Sequence, residues 1–72
     1  MNKQYLKQFC LEKIAEYPNL KSEITDYYFL AMDEIYDGGS EQNEVELAIN
    51  DIEALIKNSN FKTFNEAPYG NN

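Results

Sequence analysis

Apolar residues recur along the first part of the chain at spacings of three and four, which is typical of a helix with one buried face. This pattern predicts a first helix over about residues 2–17. Pro18 ends it, because the residue before a proline is disfavoured in the helical conformation. The predicted apolar stripe consists of Tyr5, Leu6, Phe9, Cys10, Ile14 and Tyr17.

A second helix is predicted over about residues 20–37, with Asn19 as its N-cap. Gly38 and Gly39 end it, since glycine adopts the left-handed conformation that closes many helices. Apolar positions cover most of this helix, which predicts a central helix packed on more than one side. Its main stripe is Leu20, Ile24, Tyr27, Tyr28, Ala31 and Ile35, and its wider arc adds Phe29, Met32 and Tyr36.

A third helix is predicted over about residues 41–58, with Ser40 as its N-cap and Lys57 in its last turn. Residues 59–72 lack helical periodicity and are predicted to form a flexible or docked C-terminal tail. Short connections favour antiparallel neighbours. The sequence therefore predicts an all-α fold, a compact three-helix bundle over residues 1–58. The predicted buried face of the third helix consists of Val45, Ala48, Ile49, Ile52, Leu55 and Ile56.

Charge is the strongest functional signal in the chain, which has thirteen acidic residues against six lysines and a net charge of −7. Residues 22–56 hold no basic residue, and they hold the acids Glu23, Asp26, Asp33, Glu34, Asp37, Glu41, Glu44, Glu46, Asp51 and Glu53. Direct nucleic-acid binding requires the opposite charge. Three interpretations of the acidic segment are open: it provides solubility alone, it forms a face that attracts a basic protein, or it imitates nucleic-acid phosphates.

The residue types argue against nucleophilic and zinc-dependent catalysis. The chain has no histidine and a single cysteine, so it lacks the parts of a nucleophilic triad or a zinc site. The many carboxylates leave acid–base catalysis open, but a chain of 72 residues offers little room for the pocket that a substrate needs. Cys10 has apolar neighbours and is predicted to be a buried, unreactive thiol. We predict no enzyme activity, no cofactor and no metal. The lone thiol, together with the lack of a signal peptide or an apolar span, predicts a cytoplasmic protein without membrane contact.

Residues 33–44 partly follow the ligand spacing of an EF-hand calcium loop. The matching positions are Asp33, Asp37, Gly38, Glu41 and Glu44. The third position is Ile35, which has no side-chain oxygen for calcium. A Gly-Gly turn followed by a Ser cap explains the segment without a metal, and divalent-cation binding stays as an alternative.

Two stretches, Leu30-Ala31-Met32-Asp33-Glu34-Ile35-Tyr36-Asp37-Gly38-Gly39-Ser40-Glu41 and Glu44-Val45-Glu46-Leu47-Ala48-Ile49-Asn50-Asp51-Ile52, resemble small acidic helical accessory proteins of T4-like tailed phages. The resemblance covers under half of the chain. It implies a host-takeover or defence-countering role in the host cytoplasm, carried out by binding a host protein, and it brings no catalytic residues. Tyrosines among carboxylates also resemble the acidic immunity proteins of nuclease bacteriocins, although this chain is shorter and lacks their specificity helix.

These observations predict a small acidic protein-binding module that inhibits or modulates a basic host protein, for example one that itself binds nucleic acid. The residues predicted to contact the partner are Asp26, Phe29, Asp33, Glu34, Tyr36, Asp37, Glu41 and Glu44. Two alternatives remain: a calcium-like site in the loop of residues 33–44, and a self-associating structural protein, such as a homodimer, with the second helix as its seam.

Overall fold

The computed structural model describes the backbone of residues 1–69 and the side chains of residues 1–59. Within residues 1–69 the chain forms three α-helices and no β-strand, which confirms the predicted all-α three-helix fold. The helices are α1 (Lys3–Glu16), α2 (Lys21–Tyr36) and α3 (Glu41–Tyr69), and a short 3₁₀ helix over Pro18–Leu20 joins the first two. None of the described helices combines the length and hydrophobicity that a membrane crossing requires.

The first helix begins at an N-cap that its sequence provides. The side-chain oxygen of Asn2 accepts a hydrogen bond of 2.9 Å from the backbone N–H of Tyr5. Leu6 and Cys10 are buried, as predicted. Tyr5 was wrongly assigned to the buried stripe, because it is more than half exposed. It precedes Leu6 by one residue, so it points about 100° away from Leu6, on the side opposite Cys10.

The predicted N-cap of the second helix is wrong. Asn19 lies inside the 3₁₀ helix, and Leu20 takes the cap position without a side-chain hydrogen bond. The N–H of Leu20 instead donates to the carbonyl oxygen of Tyr17, at 2.9 Å. Pro18 favours this turn because its fixed φ suits the first position of a helix. Burial of Leu20 then holds the turn against the core.

The turn between α2 and α3 agrees with its prediction. Gly38 has a φ of +104°, and its N–H donates to the carbonyl oxygen of Ile35 at 3.1 Å. The N–H of Gly39 donates to the carbonyl oxygen of Glu34 at 2.8 Å, which completes a Schellman motif. Ser40 then caps α3, since its hydroxyl accepts a hydrogen bond of 3.3 Å from the N–H of Asn43.

The third helix continues past its predicted end at Asn58, and its backbone is helical to Tyr69. Residues 59–67 contain no glycine or proline, so the sequence holds no strong helix breaker there. Lys57 therefore lies within the helix and not in its last turn. The side chains of residues 60–72 lie outside the described part of the chain, and the flexible or docked tail of residues 59–72 stays a prediction.

The core lies where the three helices meet, and α2 contacts both α1 and α3. Among the described side chains the buried ones are apolar, and no polar or charged side chain is buried. Leu6, Ile24, Val45 and Ile52 are fully enclosed. The other buried members are Cys10, Leu20, Ala31, Ala48 and Ile49. Short connections make α2 antiparallel to both neighbours, so α1 and α3 begin at the same end of the bundle.

Candidate protein-binding surface

The outer side of α2 carries part of the predicted site. Asp26, Phe29 and Asp33 follow one another at spacings of three and four, so they lie along one line of the helix. Asp37 lies one turn further, at the C-cap. All four side chains are exposed, and Leu30, beside Phe29, is 58 % exposed. This line therefore presents carboxylates on both sides of large apolar residues.

A groove of about 200 Å³ between α2 and α3 holds a second part of the site. Glu34 and Glu44 line it, together with Asp51, which was not predicted. Leu30 and Leu47 also line it, and 58 % and 54 % of their surfaces are exposed. The remaining lining comes from Tyr27, Ala31 and Ala48. The groove thus joins three carboxylates with two exposed leucines.

The two aromatic residues predicted as anchors do not lie in this groove. Tyr36 is 95 % exposed and borders a hollow with Lys3 and Met32, near the start of α1. Phe29 borders a separate apolar groove between α1 and α2, and its ring meets that of Tyr28 edge-on with centroids 5.6 Å apart. The main apolar stripe of α2 packs against both α1 and α3, as predicted. Phe29 and Tyr36, which extend the apolar surface of α2 beyond that stripe, are exposed because α1 does not cover them.

Glu41 contributes to the fold directly. Its carboxylate oxygen Oε2 accepts a hydrogen bond of 2.8 Å from the backbone N–H of Lys3. Lys3 is the first residue of α1 and Glu41 the first of α3, so one carboxylate lies at the positive ends of two helix dipoles. This contact ties the two helix starts together and occupies one oxygen of a residue predicted to meet a partner.

The acidic surface is not neutralised by lysines within the described side chains. The one ion pair among residues 1–59 joins Lys13 Nζ to Glu16 Oε1 at 3.5 Å, within α1. Lys13 also lies 5.5 Å from the centre of the Phe9 ring. The carboxylates of α2 and α3 have no lysine within salt-bridge distance in this part of the chain. Lys3 borders the same hollow as Asp33, and Lys21 the same hollow as Asp26. The groove with Glu34, Glu44 and Asp51 has no lysine in its lining, so it is the best placed to meet a cationic surface.

The negative charge is concentrated on two helices without being confined to one side. Glu46 and Glu53 each follow a groove-lining residue of α3 by two positions, which turns them about 200° away from the groove. They face away from α2, whereas Glu44 and Asp51 face it. The groove is thus the place where carboxylates and exposed leucines coincide.

The loop of residues 33–44 does not gather the ligands that calcium requires. Among the described residues, no group of three or more acidic, Cys or His side chains could hold a metal ion. Ile35 packs against the core, and Glu41 is bonded to Lys3. The Schellman motif and the Ser40 cap account for the loop geometry. The divalent-cation alternative gains no support from this arrangement.

Cys10 is a buried free thiol, as predicted. Burial in an apolar environment disfavours the charged thiolate and raises the pKa of Cys10 from 9.0 to about 11. The thiol is therefore protonated at neutral pH, which fits a residue that packs in the core.

Three contributors to the surface were missed by reasoning on the sequence: Leu30, Leu47 and Asp51. The signal that could have found the leucines is their position, since both are large apolar residues off the buried stripes of consecutive helices. Such residues mark contact surfaces when they lie together. Comparison of the chain with protein-family models, curated proteins and solved structures found no match.

Proposed function

We propose that this protein is a small acidic binding module whose α2 and α3 side captures a basic surface of another protein and inhibits or modulates that protein. The observation that supports the proposal is the set of exposed carboxylates without lysine partners among residues 1–59, placed beside Phe29, Leu30 and Leu47. The proposed role is binding without catalysis.

The charges supply attraction and orientation. Summed fields of this kind raise association rates by about 10- to 1,000-fold and act on partners before contact. Each exposed ion pair adds only about 0.2–1 kcal/mol once formed, because water and salt screen it. Charge alone therefore gives a weak complex. The exposed apolar side chains supply the buried area that turns an encounter into a stable contact.

A basic protein fits this surface better than a second copy of the chain. In a symmetric dimer built on the outer side of α2, the same patch would face itself. Asp26 and Asp33 of one copy would then approach the same carboxylates of the other, and like charges repel. The resemblance to phage accessory proteins makes a host protein the proposed partner, and nucleic-acid-binding proteins are a class with the required basic surface.

Charge reversal at the surface tests the proposal. A tagged chain is used to capture proteins from a bacterial lysate at about 0.1 M salt, where charges are screened beyond about 10 Å, and at about 1 M, where screening reaches about 3 Å. We expect basic proteins to be enriched at the lower salt and lost at the higher. The triple variant Asp33→Lys, Glu34→Lys, Asp37→Lys should abolish that capture while its circular dichroism stays helical.

A matched control separates this surface from net charge. The variant Glu12→Lys, Glu46→Lys, Glu53→Lys changes the net charge by the same amount at exposed positions elsewhere. It should retain capture. If the α2 variant still captures the same proteins, or if both variants lose them equally, the proposed surface is wrong.

A further inference from the structure

We infer that the groove between α2 and α3 receives one basic amphipathic helix of the partner, with an apolar side chain seated between Leu30 and Leu47 and a cationic side chain at each end. The inference rests on the proposed function and specifies the partner's chemistry. It depends on the order of side chains along the groove.

The groove has carboxylates at both ends and leucines between them. Because α2 and α3 run antiparallel from the Gly-Gly turn, Glu34 near the end of α2 lies with Glu44 near the start of α3. Tyr27 and Asp51 lie at the opposite end of the groove. Leu30 and Leu47 come between these ends on their respective helices. Charge, apolar surface and charge therefore follow one another along one line.

The dimensions of this line match a short helical segment. The lining residues of each helix lie within a stretch whose end residues are seven positions apart, Tyr27 and Glu34 on α2 and Glu44 and Asp51 on α3. Seven residues of helix extend about 10.5 Å, or two turns. A partner helix that carries Lys or Arg three or four residues before and after a large apolar residue presents its groups at the same separation.

The floor of the groove explains why a side chain fits there. Ala31 and Ala48 are buried between the helices and are small, so the surface is lowered between Leu30 and Leu47. The groove between α1 and α2 differs in its chemistry. Most of its lining residues are apolar, and the others include Thr25 and the positively charged Lys7, so it has no carboxylate with which to select a basic helix.

The probe for the test is a synthetic helical peptide of lysine, leucine and alanine in which one leucine lies between two lysines at those spacings. Its binding to the full chain is followed by fluorescence anisotropy at low salt. We expect the variant Leu30→Gln, Leu47→Gln to bind about tenfold more weakly, and Glu34→Gln, Asp51→Asn to bind at least about fivefold more weakly. A peptide with glutamine in place of the leucine should lose affinity for the wild-type chain by a similar factor.

Matched controls use positions of similar exposure outside the groove. Tyr5→Gln, Leu11→Gln changes two half-exposed apolar residues of α1. Glu46→Gln, Glu53→Gln removes two carboxylates on the side of α3 that faces away from the groove. Both controls should bind the peptide within about twofold of the wild-type chain, and circular dichroism verifies that every variant is folded.

Three results would overturn the inference. If the peptide bound groove and control variants with equal affinity, or if the leucine and glutamine peptides bound equally well, charge would attract the peptide without its apolar side chain binding in the groove. No binding by the wild-type chain would exclude a basic helix as the occupant. Light scattering that shows a wild-type dimer made monomeric by Leu30→Gln, Leu47→Gln would assign the groove to a second copy. In each case the capture experiment with the Asp33, Glu34 and Asp37 reversals decides separately whether the proposed function stands.

Discussion

The acidic side chains of α2 and α3 fall into two groups according to what they contact. Glu41 accepts a hydrogen bond from the N–H of Lys3 and so connects the starts of α1 and α3. Asp33 and Asp37 are exposed and have no lysine within salt-bridge distance among residues 1–59. Acidic residues a few positions apart therefore differ: Glu41 stabilises the fold, whereas Asp33 and Asp37 are free for the recognition role that we propose.

Alanine substitutions should separate these two roles. Glu41→Ala removes a charge-assisted hydrogen bond and a carboxylate at two helix N-termini, and should lower the free energy of unfolding by about 1 kcal/mol. Asp33→Ala should change it by less than about 0.5 kcal/mol, as exposed substitutions usually do. Urea denaturation measures both values. Capture of a basic partner should instead be weakened more by Asp33→Ala than by Glu41→Ala. A Glu41→Ala protein as stable as the wild type would contradict the structural role of Glu41.

For individual side chains, the sequence predicted exposure better than it predicted contacts. Asp26, Asp33 and Asp37 are exposed, as their positions off the apolar stripe indicated. The contact of Glu41 was not predictable, because Lys3 is 38 residues away and only the packed bundle brings them together. For the same reason the pairing of Leu30 with Leu47 in one groove required the structure.

Among the elements, the turn between α2 and α3 has the most direct effect on the groove. The N–H of Gly39 donates to the carbonyl oxygen of Glu34, and the side chain of Glu34 lines the groove. The side chain of Glu44 approaches Gly39 from α3. The turn therefore sets the relative position of the two carboxylates at this end of the groove.

Substitution of Gly39 tests how tightly this turn is built. A Cβ atom at position 39 would lie 2.8 Å from the backbone oxygen of Glu34, which cannot move without disturbing α2. Gly39→Ala should therefore lower the free energy of unfolding by about 1–3 kcal/mol, measured by urea denaturation. Asn50→Ala, at an exposed position of α3, is the control and should be within about 0.5 kcal/mol of wild type. Equal stability of the two variants would show that the turn adapts.

Helix boundaries were predictable where the residues at the boundary themselves determine the backbone conformation. Pro18, the two glycines and Ser40 mark breaks and a cap that the structure confirms. Asn19 failed as an N-cap because burial of Leu20 and the 3₁₀ turn determine the start of α2. The end of α3 was placed too early, since the loss of apolar periodicity after Asn58 indicates the loss of a buried face and not the loss of helical backbone.

For the molecule as a whole, the distribution of charge matters as much as its sum. Residues 22–56 carry all their charge as carboxylates, whereas Lys3, Lys7 and Lys13 lie on α1. A chain of 72 residues also has a small stability margin. Repulsion among the carboxylates opposes folding, and the same charges form the surface that we propose binds a cationic partner.

Salt should therefore act in opposite directions on folding and on binding. Raising NaCl from about 0.01 M to about 1 M shortens the screening length from about 30 Å to about 3 Å. The Tm of the isolated protein should rise by several degrees, since about 1 kcal/mol corresponds to about 4–8 °C in a domain of this size. Affinity for the basic peptide should fall over the same range, by anisotropy. The Asp33→Lys, Glu34→Lys, Asp37→Lys variant, with a net charge near zero, should show a smaller rise in Tm. A Tm that falls with salt would contradict carboxylate repulsion.

The enclosed thiol of Cys10 makes the interior of the protein observable without an added label. Cys10 is 4 % exposed and lines the groove between α1 and α2, so a thiol reagent reaches its sulfur only when the side chains that cover it move. The rate of that reaction reports how often those side chains uncover the sulfur, in a groove that lies away from the one proposed for the partner. Exposure of this thiol and occupation of the α2–α3 groove can thus be followed separately in one molecule.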